Sequence, residues 1–121
     1  MALLMTMEKH SDRELLELAA KAAGYDVFGS EHPNDGINIL IGERVLTWQP
    51  LTDDGDALRL SVKLRLDVDH NQEYACVYGD LVAVEIENGN NPYAATRRAI
   101  VRAAAEIGRR MQDEQSTAAR G

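Results

Sequence analysis

Cysteine is nearly absent from this sequence, which limits the compartments and the chemistries open to it. The single cysteine among the 121 residues is Cys76. No disulfide can therefore form within the chain, and a reducing cytoplasm is the expected location. Because Cys76 lies in an apolar alternating run, we expect a small buried thiol rather than a reactive one.

Aromatic residues and long apolar runs are also scarce. Aromatics make up 5% of the chain, so we expect a core of Leu, Val, Ile and Ala. No apolar run approaches the roughly 20 residues that span a bilayer. The opening MALLMTMEKH has neither a basic leader nor a long apolar middle, so it is not typical of a signal peptide. We expect loose segments at residues 1–10 and 112–121, around one domain at residues 11–111.

Acidic residues outnumber basic ones, and the excess is unevenly distributed. The chain has 20 Asp and Glu against 13 Lys and Arg, a formal net charge of −7. This balance argues against general nucleic-acid binding, whose affinity depends on neutralising phosphates. Between Tyr93 and Met111, however, five arginines accompany one glutamate. That segment is locally basic, so an anion site there is allowed.

The motifs of common catalytic and cofactor sites are missing as well. The phosphate-binding patterns GxxxxGK and GxGxxG are both absent. The three histidines, His10, His32 and His70, are not spaced as zinc ligands. No nucleophile motif surrounds Cys76. We therefore expect a non-enzymatic protein with no cofactor and no metal.

Two helices are predicted from the signals at their ends. Ser11 and Glu14 have the spacing of a capping box, and Gly24 suits a left-handed C-terminal cap. Toward the other end of the chain, Asn91 is expected to cap a helix that has Pro92 at its first position. This helix is predicted to run to about Met111. Its expected buried stripe is Tyr93, Ile100, Ala103, Ala104, Ile107 and Met111.

Two hairpins are predicted between these helices. After the turn-forming HPNDG at residues 32–36, the β-branched runs INILI and RVLTW flank Gly42-Glu43, a pair suited to a type II′ turn. By the same reasoning, YACVY and LVAVEIE flank Gly79-Asp80.

The segment between the hairpins carries two conflicting signals. Apolar residues alternate strictly with polar ones, as in a strand, at Leu58, Leu60, Val62, Leu64 and Leu66. Yet most of these residues are strong helix formers, and the aspartates upstream suit a helix N-terminus. We predict a helix to about Arg65 and then a strand. The expected fold is α+β: a single domain with a mainly antiparallel sheet of two hairpins plus a strand, and three helices packed around it.

Two blocks of the sequence resemble a known family. WQPLTDDGDALRLSVKLRL and NPYAATRRAIVRAAAEIGRRM are similar to the signature blocks of the phage ABA-sandwich family, and DRELLELAAKAAGYDV is similar to its N-terminus. The likeness covers most of the chain from Ser11 to Met111, and the family is distantly similar to the lambdoid NinX-type early-region proteins. The resemblance implies layers of helix, sheet and helix, and a phage or prophage protein in the cytoplasm of a host cell. It supplies no catalytic residues.

Three aspartates after the tryptophan raise the question of a metal loop. From Asp53, Asp54 and Asp56 an EF-hand loop would need a bidentate Glu at its twelfth position, which here is Leu64. We therefore expect Asp53 to cap the helix, with the other two aspartates in its first turn. A divalent ion held by all three is the less favoured alternative.

Trp48 and the arginines of the last helix are the candidate ligand-binding residues. A lone tryptophan at a strand end more often fills the edge of a core, but a stacking platform stays open. Arg98, Arg102 and Arg109 share one stripe of the helix, where they can be solvated, ion-paired or bound to an anion. If a ligand binds, the residues expected to hold it are Trp48, Arg97, Arg98 and Arg102.

Two functions from different classes remain open. The first is an accessory protein that binds a host or phage protein, for instance through an exposed strand edge. The second is a sponge for a nucleotide or cyclic nucleotide that counters host defence signalling, with Trp48 stacking on the base. An enzyme using the three aspartates with a divalent ion is a third, less favoured reading. A homo-oligomer is left open, and no membrane partner is expected.

Overall fold

The computed structural model describes residues 10–29 and 35–120, with side chains described as far as residue 115. Within these ranges the chain forms three helices and six strands. The helices are α1 (Asp12–Ala23), α2 (Asp54–Lys63) and α3 (Pro92–Arg120). The strands are β1 (Asp26–Val27), β2 (Ile37–Ile41), β3 (Arg44–Trp48), β4 (Asp67–His70), β5 (Tyr74–Tyr78) and β6 (Ala83–Glu87). The predicted α+β fold is confirmed. Residues 1–9 of the opening segment, and His32 with the start of the HPNDG turn, lie outside the described residues.

Helix α1 begins and ends as its sequence predicts. The Glu14 N–H donates to Ser11 Oγ at 3.1 Å, and the Ser11 N–H donates to Glu14 Oε1 at 3.1 Å. Gly24 ends the helix in the left-handed conformation, with φ 78°. The face between these caps is buried through Leu15, Leu16, Leu18, Ala19, Ala20 and Ala23.

The first predicted hairpin forms the larger part of a sheet with the order β1-β2-β3. Ile41 pairs with Arg44 across Gly42-Glu43, and Gly42 has the positive φ, 62°, that such a turn requires. Ile37 and Ile39 of β2 are buried, whereas most of β3 is exposed. The sheet is therefore packed against the core mainly through β2, and most of β3 is left accessible to solvent.

Helix α2 resolves the conflict between periodicity and propensity in favour of the helix. In a strand, Leu58, Leu60 and Val62 would all share one face. In the structure Leu60 is 1% exposed, while Leu58 and Val62 are 62% and 67% exposed. Ala57 and Ser61 are buried beside Leu60, so the buried residues follow the spacing of a helix.

The second sheet, with the order β4-β5-β6, is antiparallel throughout and separate from the first. Its strand β4 begins at Asp67, close to the predicted start. The predicted hairpin is present, but Tyr78 pairs with Ala83 across a loop of four residues rather than two. This loop is closed by a bond from the Gly79 N–H to Val82 O at 2.9 Å, and it leaves Leu81 72% exposed.

Helix α3 differs from its prediction in length and in part of its buried face. It continues past Met111 to Arg120, and i,i+4 pairs such as Arg109–Asp113 support this extension. Ile100, Ala103 and Ala104 are buried as predicted. Tyr93 was expected to be buried and is 70% exposed, because the residue of the first turn that faces the core is Ala95, which is 7% exposed.

Helix α3 is also the element around which the rest of the chain packs. It contacts α1, α2, β5 and β6. Against α1 the two backbones nearly touch: a Cβ on Gly108 would lie 1.9 Å from Leu18 O. Small side chains on both helices, including Ala19, Ala20 and Ala104, make this close approach possible.

Candidate functional site

The aspartate-rich turn serves the start of α2. Asp53 Oδ2 accepts a hydrogen bond from the Asp56 N–H at 2.8 Å, the bond expected of an N-cap. Asp56 in turn accepts from the Gln49 N–H at 2.9 Å and from Arg59 Nη2 at 2.7 Å. The predicted capping role of Asp53 is confirmed. Within the described residues, no three His, Cys, Asp or Glu side chains are grouped so that they could hold a metal ion.

Trp48 belongs to the core. Its side chain is 5% exposed, and its ring meets the Tyr25 ring edge-to-face, with centroids 5.5 Å apart and planes at 83°. Its carbonyl oxygen is so close to Gly36 that a Cβ there would come within 2.5 Å. Because the side chain is almost fully buried, little of the ring is accessible to a base.

Arg97 and Arg98 are engaged by acceptors of the chain itself. Arg97 donates from Nε to Leu51 O at 2.9 Å and from Nη1 to Asp54 Oδ1 at 2.6 Å. Arg98 donates from Nη1 and Nη2 to the two carboxylate oxygens of Asp12, at 3.1 and 3.3 Å. Such paired donation is the geometry in which arginine holds a carboxylate most firmly.

The four residues expected to hold a ligand are therefore not gathered into one site. Trp48 lies in the core, Arg97 joins α3 to the aspartate turn, Arg98 joins α3 to α1, and Arg102 is half-buried along the helix. For Arg97 and Arg98 the ion-paired alternative is confirmed.

A buried glutamate organises the arginines at the far end of α3. Glu106 is 7% exposed, and it accepts from Arg109 Nη2 at 2.6 Å and from Arg110 Nε at 3.1 Å. Burial by itself raises the pKa of Glu106, but the hydrogen bonds and charges of the two arginines outweigh it and lower the pKa below its ordinary value. Arg109 also donates from Nη1 to Asp113 Oδ2 at 2.8 Å, so two carboxylates of the helix match the two arginines.

A groove of 360 Å³ opens between α2, β4 and the start of α3. Its rim carries Leu58 and Tyr93, which are 62% and 70% exposed. Val68, His70 and Arg97 also line it. Sequence reasoning missed this groove because it placed Tyr93 in the core. No local signal in the sequence distinguished the exposed Tyr93 from the buried Ala95 of the same helical turn.

Comparisons with protein-family models, curated proteins and solved structures give no match to this chain. Its resemblance to the phage ABA-sandwich family therefore remains a hypothesis. Among the helices of the described ranges, none has the length and apolar content needed to cross a membrane.

The open edge of β3 is the clearest place for a polypeptide to attach. The Phe28 N–H donates to Asn38 O at 2.9 Å, so Asn38 directs its backbone groups toward β1. Thr47 of β3 is the residue paired with Asn38 of β2. Because backbone bonds alternate along an antiparallel ladder, Thr47 and likewise Val45 direct their N–H and C=O groups to the open edge. Within the described ranges no strand pairs with that edge.

Two exposed apolar side chains lie at the centre of this edge strand. Val45 and Leu46 of β3 are 44% and 38% exposed, and the residues on either side of them, Arg44 and Thr47, are polar and exposed. Proteins commonly protect such edges with charged residues, above all lysine, or with proline or a bulge. In RVLTW the one charged residue is Arg44, beside the turn, and the pairing of β3 with β2 is regular.

Proposed function

We propose that this protein is a phage or prophage accessory protein that acts without catalysis by binding a host or phage protein. The observation that carries the proposal is the open edge of β3, where Val45 and Leu46 are exposed and no strand of the described ranges pairs. An extended segment of a partner can add a strand there, because main-chain hydrogen bonds give affinity and the side chains of Val45 and Leu46 add apolar contact. The two sequence blocks that resemble the ABA-sandwich family support the phage context, and the single cysteine supports the cytoplasm of the host.

The proposal is tested by capture from a host lysate with paired variants. Val45→Lys places a charge on the edge, and Thr47→Pro removes an N–H that faces outward without touching the ladder to β2. Both are expected to abolish the capture of a partner that the wild-type chain retains. Leu81→Lys, a matched charge on an exposed leucine of the loop between β5 and β6, is expected to leave capture intact.

Three results would count against this function. They are a blank capture by the wild-type chain, equal capture by Val45→Lys, and equal loss with Leu81→Lys. Circular dichroism of each variant establishes that the fold is retained. Light scattering tests whether the edge is instead occupied by a second copy: a dimer that Val45→Lys converts to a monomer would replace the foreign partner with a homo-oligomer.

A second candidate function is small-ligand binding, which the groove beside Tyr93 favours. Its volume, 360 Å³, lies in the range of small-molecule sites. The exposed ring of Tyr93 rather than Trp48 would then stack on a nucleotide base. A ligand that binds only the folded state raises the melting temperature. We expect a rise with a mono-, di- or cyclic nucleotide that Tyr93→Ala removes; no rise with any of them retires this candidate.

A further inference from the structure

The negative charge of this protein is concentrated in one part of the chain. Between Arg65 and Arg97 the sequence has neither lysine nor arginine. The same segment contains six carboxylates, Asp67, Asp69, Glu73, Asp80, Glu85 and Glu87. It forms the whole of the second sheet, so the acidic excess of the protein is carried by that sheet.

The strand register places four of these carboxylates on one face. Asp69 pairs with Cys76, and Cys76 pairs with Glu85, so the three lie in one row across the sheet. Paired residues share a face, and side chains alternate along each strand. The neighbouring rows therefore bring Asp67 beside Tyr78 and Glu87 beside Tyr74 on that same face.

The opposite face of the second sheet is the one that meets the core. Ala75 and Val77 are fully buried there and Val84 is 9% exposed, and β5 and β6 contact α3. On the acidic face, by contrast, all four carboxylate residues are exposed. Among the described elements, α3 is thus on the inner side of this sheet, and the acidic face is open.

Among the described residues, these carboxylates differ from several of those in the helices in their ion pairing. Asp12, Asp54 and Glu106 each form an ion pair with an arginine of α3. None of the ion pairs within the described ranges includes a carboxylate of the sheet face. A group of unpaired like charges on one flat surface attracts positive charge and repels negative charge.

Tyr78 lies on this face among the carboxylates. Its pKa is raised, first by the neighbouring Cys76 side chain, then by desolvation, and least by the charges of Glu85 and Asp69. Tyr78 is 41% exposed, and a tyrosine ring beside carboxylates provides a surface on which lysine or arginine can lie.

The spacing of the charges indicates the kind of occupant. Adjacent strands are about 4.8 Å apart, so Asp69 and Glu85, on either side of β5, are separated by about 10 Å. In the described structure no three acidic side chains are grouped closely enough to hold one metal ion. The surface is thus matched to several separate cationic groups rather than to a single ion, and its sign excludes nucleic acid.

We propose that the outer face of β4, β5 and β6 is a docking surface for a basic protein, whose lysine and arginine side chains lie over Asp67, Asp69, Glu85 and Glu87. This surface belongs to the other sheet and does not depend on the edge of β3. Charge complementarity of this kind chiefly accelerates association and selects the partner.

A defined probe and matched variants test this surface. The probe is a fluorescein-labelled helical peptide with lysine and arginine on one face, compared with a neutral peptide of equal length. The face variant combines Asp67→Asn, Asp69→Asn, Glu85→Gln and Glu87→Gln. The control variant makes the same change in net charge at exposed acids elsewhere: Asp26→Asn, Asp35→Asn, Glu43→Gln and Glu114→Gln.

Fluorescence anisotropy at low salt is the first measurement. We expect the face variant to weaken binding of the basic peptide by about tenfold or more and the control variant by less than about threefold. The neutral peptide is expected not to bind. Equal loss in the two variants, or no binding of the basic peptide to the wild-type chain, overturns the proposal.

Carbodiimide cross-linking of the same peptide to the wild-type chain is the second measurement. Mass spectrometry is expected to find the peptide's lysines joined to the four carboxylates of the sheet face. Cross-links spread evenly over the exposed acids overturn the proposal, as does displacement of the peptide by Mg²⁺ at constant ionic strength. The face variant is expected to fold, because its substitutions remove like-charge repulsion.

Discussion

At Gly108 the backbone of α3 lies against the backbone of α1. Because a Cβ there would come 1.9 Å from Leu18 O, neither helix can accommodate it by moving a flexible side chain. Gly108→Ala is therefore expected to lower the free energy of unfolding by about 1 to 3 kcal/mol, the effect of overpacking a core. Urea denaturation of the wild-type chain and the variant measures it.

The control for this prediction is a glycine in a helix with room beside it. A Cβ on Gly55 would meet the Arg59 guanidinium at 3.2 Å, the mobile end of a long side chain. Gly55→Ala is expected to change stability by less than about 1 kcal/mol, and alanine's helix propensity favours a gain. Equal losses in the two variants would show that the crossing of the helices is not the cause.

Glu106 makes stability depend on pH. Because its pKa is lowered in the folded state, the carboxylate stabilises the fold above its ordinary pKa of 4.5 and loses that contribution as pH falls through the lowered value. Glu106→Gln is expected to cost about 1 to 3 kcal/mol at neutral pH. It should also make the loss of stability on acidification shallower.

Urea denaturation as a function of pH separates this role from general charge effects. Glu114→Gln, an exposed glutamate of the same helix, serves as the control and is expected to follow the wild-type profile. A Glu106→Gln profile parallel to the wild-type profile would contradict the ion-pair network as the source of the pH dependence.

At the level of single residues, sequence reasoning succeeded where the partner was close in the chain. Asp53 caps α2 through a residue three positions away. The sequence could not reveal the partners of the arginines. Arg97 pairs with Asp54 and Arg98 pairs with Asp12, and both aspartates are far away in the sequence. Trp48 was ambiguous for the same reason, since its packing partner Tyr25 belongs to another segment.

Among the elements, α1 and α2 end in the same way with different residues. Each helix ends in a backbone hydrogen bond that spans five residues. In α1 the Tyr25 N–H donates to Ala20 O, and in α2 the Leu66 N–H donates to Ser61 O. The left-handed position is Gly24 in α1 but Arg65, with φ 56°, in α2. A residue with a Cβ is strained in this conformation.

Substitutions at these two helix ends are expected to change the free energy of unfolding in opposite directions. Arg65→Gly is expected to raise the free energy of unfolding by about 0.5 to 1 kcal/mol, because it relieves strain at an exposed position. Gly24→Ala is expected to lower it by about 1 kcal/mol for the converse reason. Chemical denaturation of both variants measures the pair. A lower free energy of unfolding in Arg65→Gly would mean that the arginine side chain stabilises the fold by more than the backbone strain destabilises it.

Local sequence signals were sufficient to predict whether each main element is a helix or a strand. They were not sufficient to predict every residue at which an element begins or ends. A cap and strong helix formers decided α2 against its strand-like periodicity. The loop between β5 and β6 was predicted too short, because Leu81 and Val82 belong to the loop, where Val82 is buried and Leu81 is exposed. The end of α3 was predicted too early, because ion pairs between its turns extend the helix.

Across the whole molecule, the two sheets differ in how firmly they are attached. β5 and β6 pack on α3, whereas the first sheet contacts the helices mainly through α1. Hydrogen exchange is therefore expected to be slowest in β5 and the buried middle of α3, and faster in β2 and β3 through partial opening. Exchange measured by mass spectrometry checks this order. Equal protection of β3 and β5 would indicate a single cooperative unit.

The sequence by itself determined the caps, the turns, the types of the main elements and the α+β class, because those signals act between residues a few positions apart. Only the tertiary structure decided that the strands divide into two sheets, that Trp48 is buried and Tyr93 exposed, and that the arginines are matched by distant carboxylates. It also decided which strand edge and which sheet face stay open. Burial and pairing of this kind depend on contacts between segments far apart in the chain, and the periodicity of one segment does not contain them.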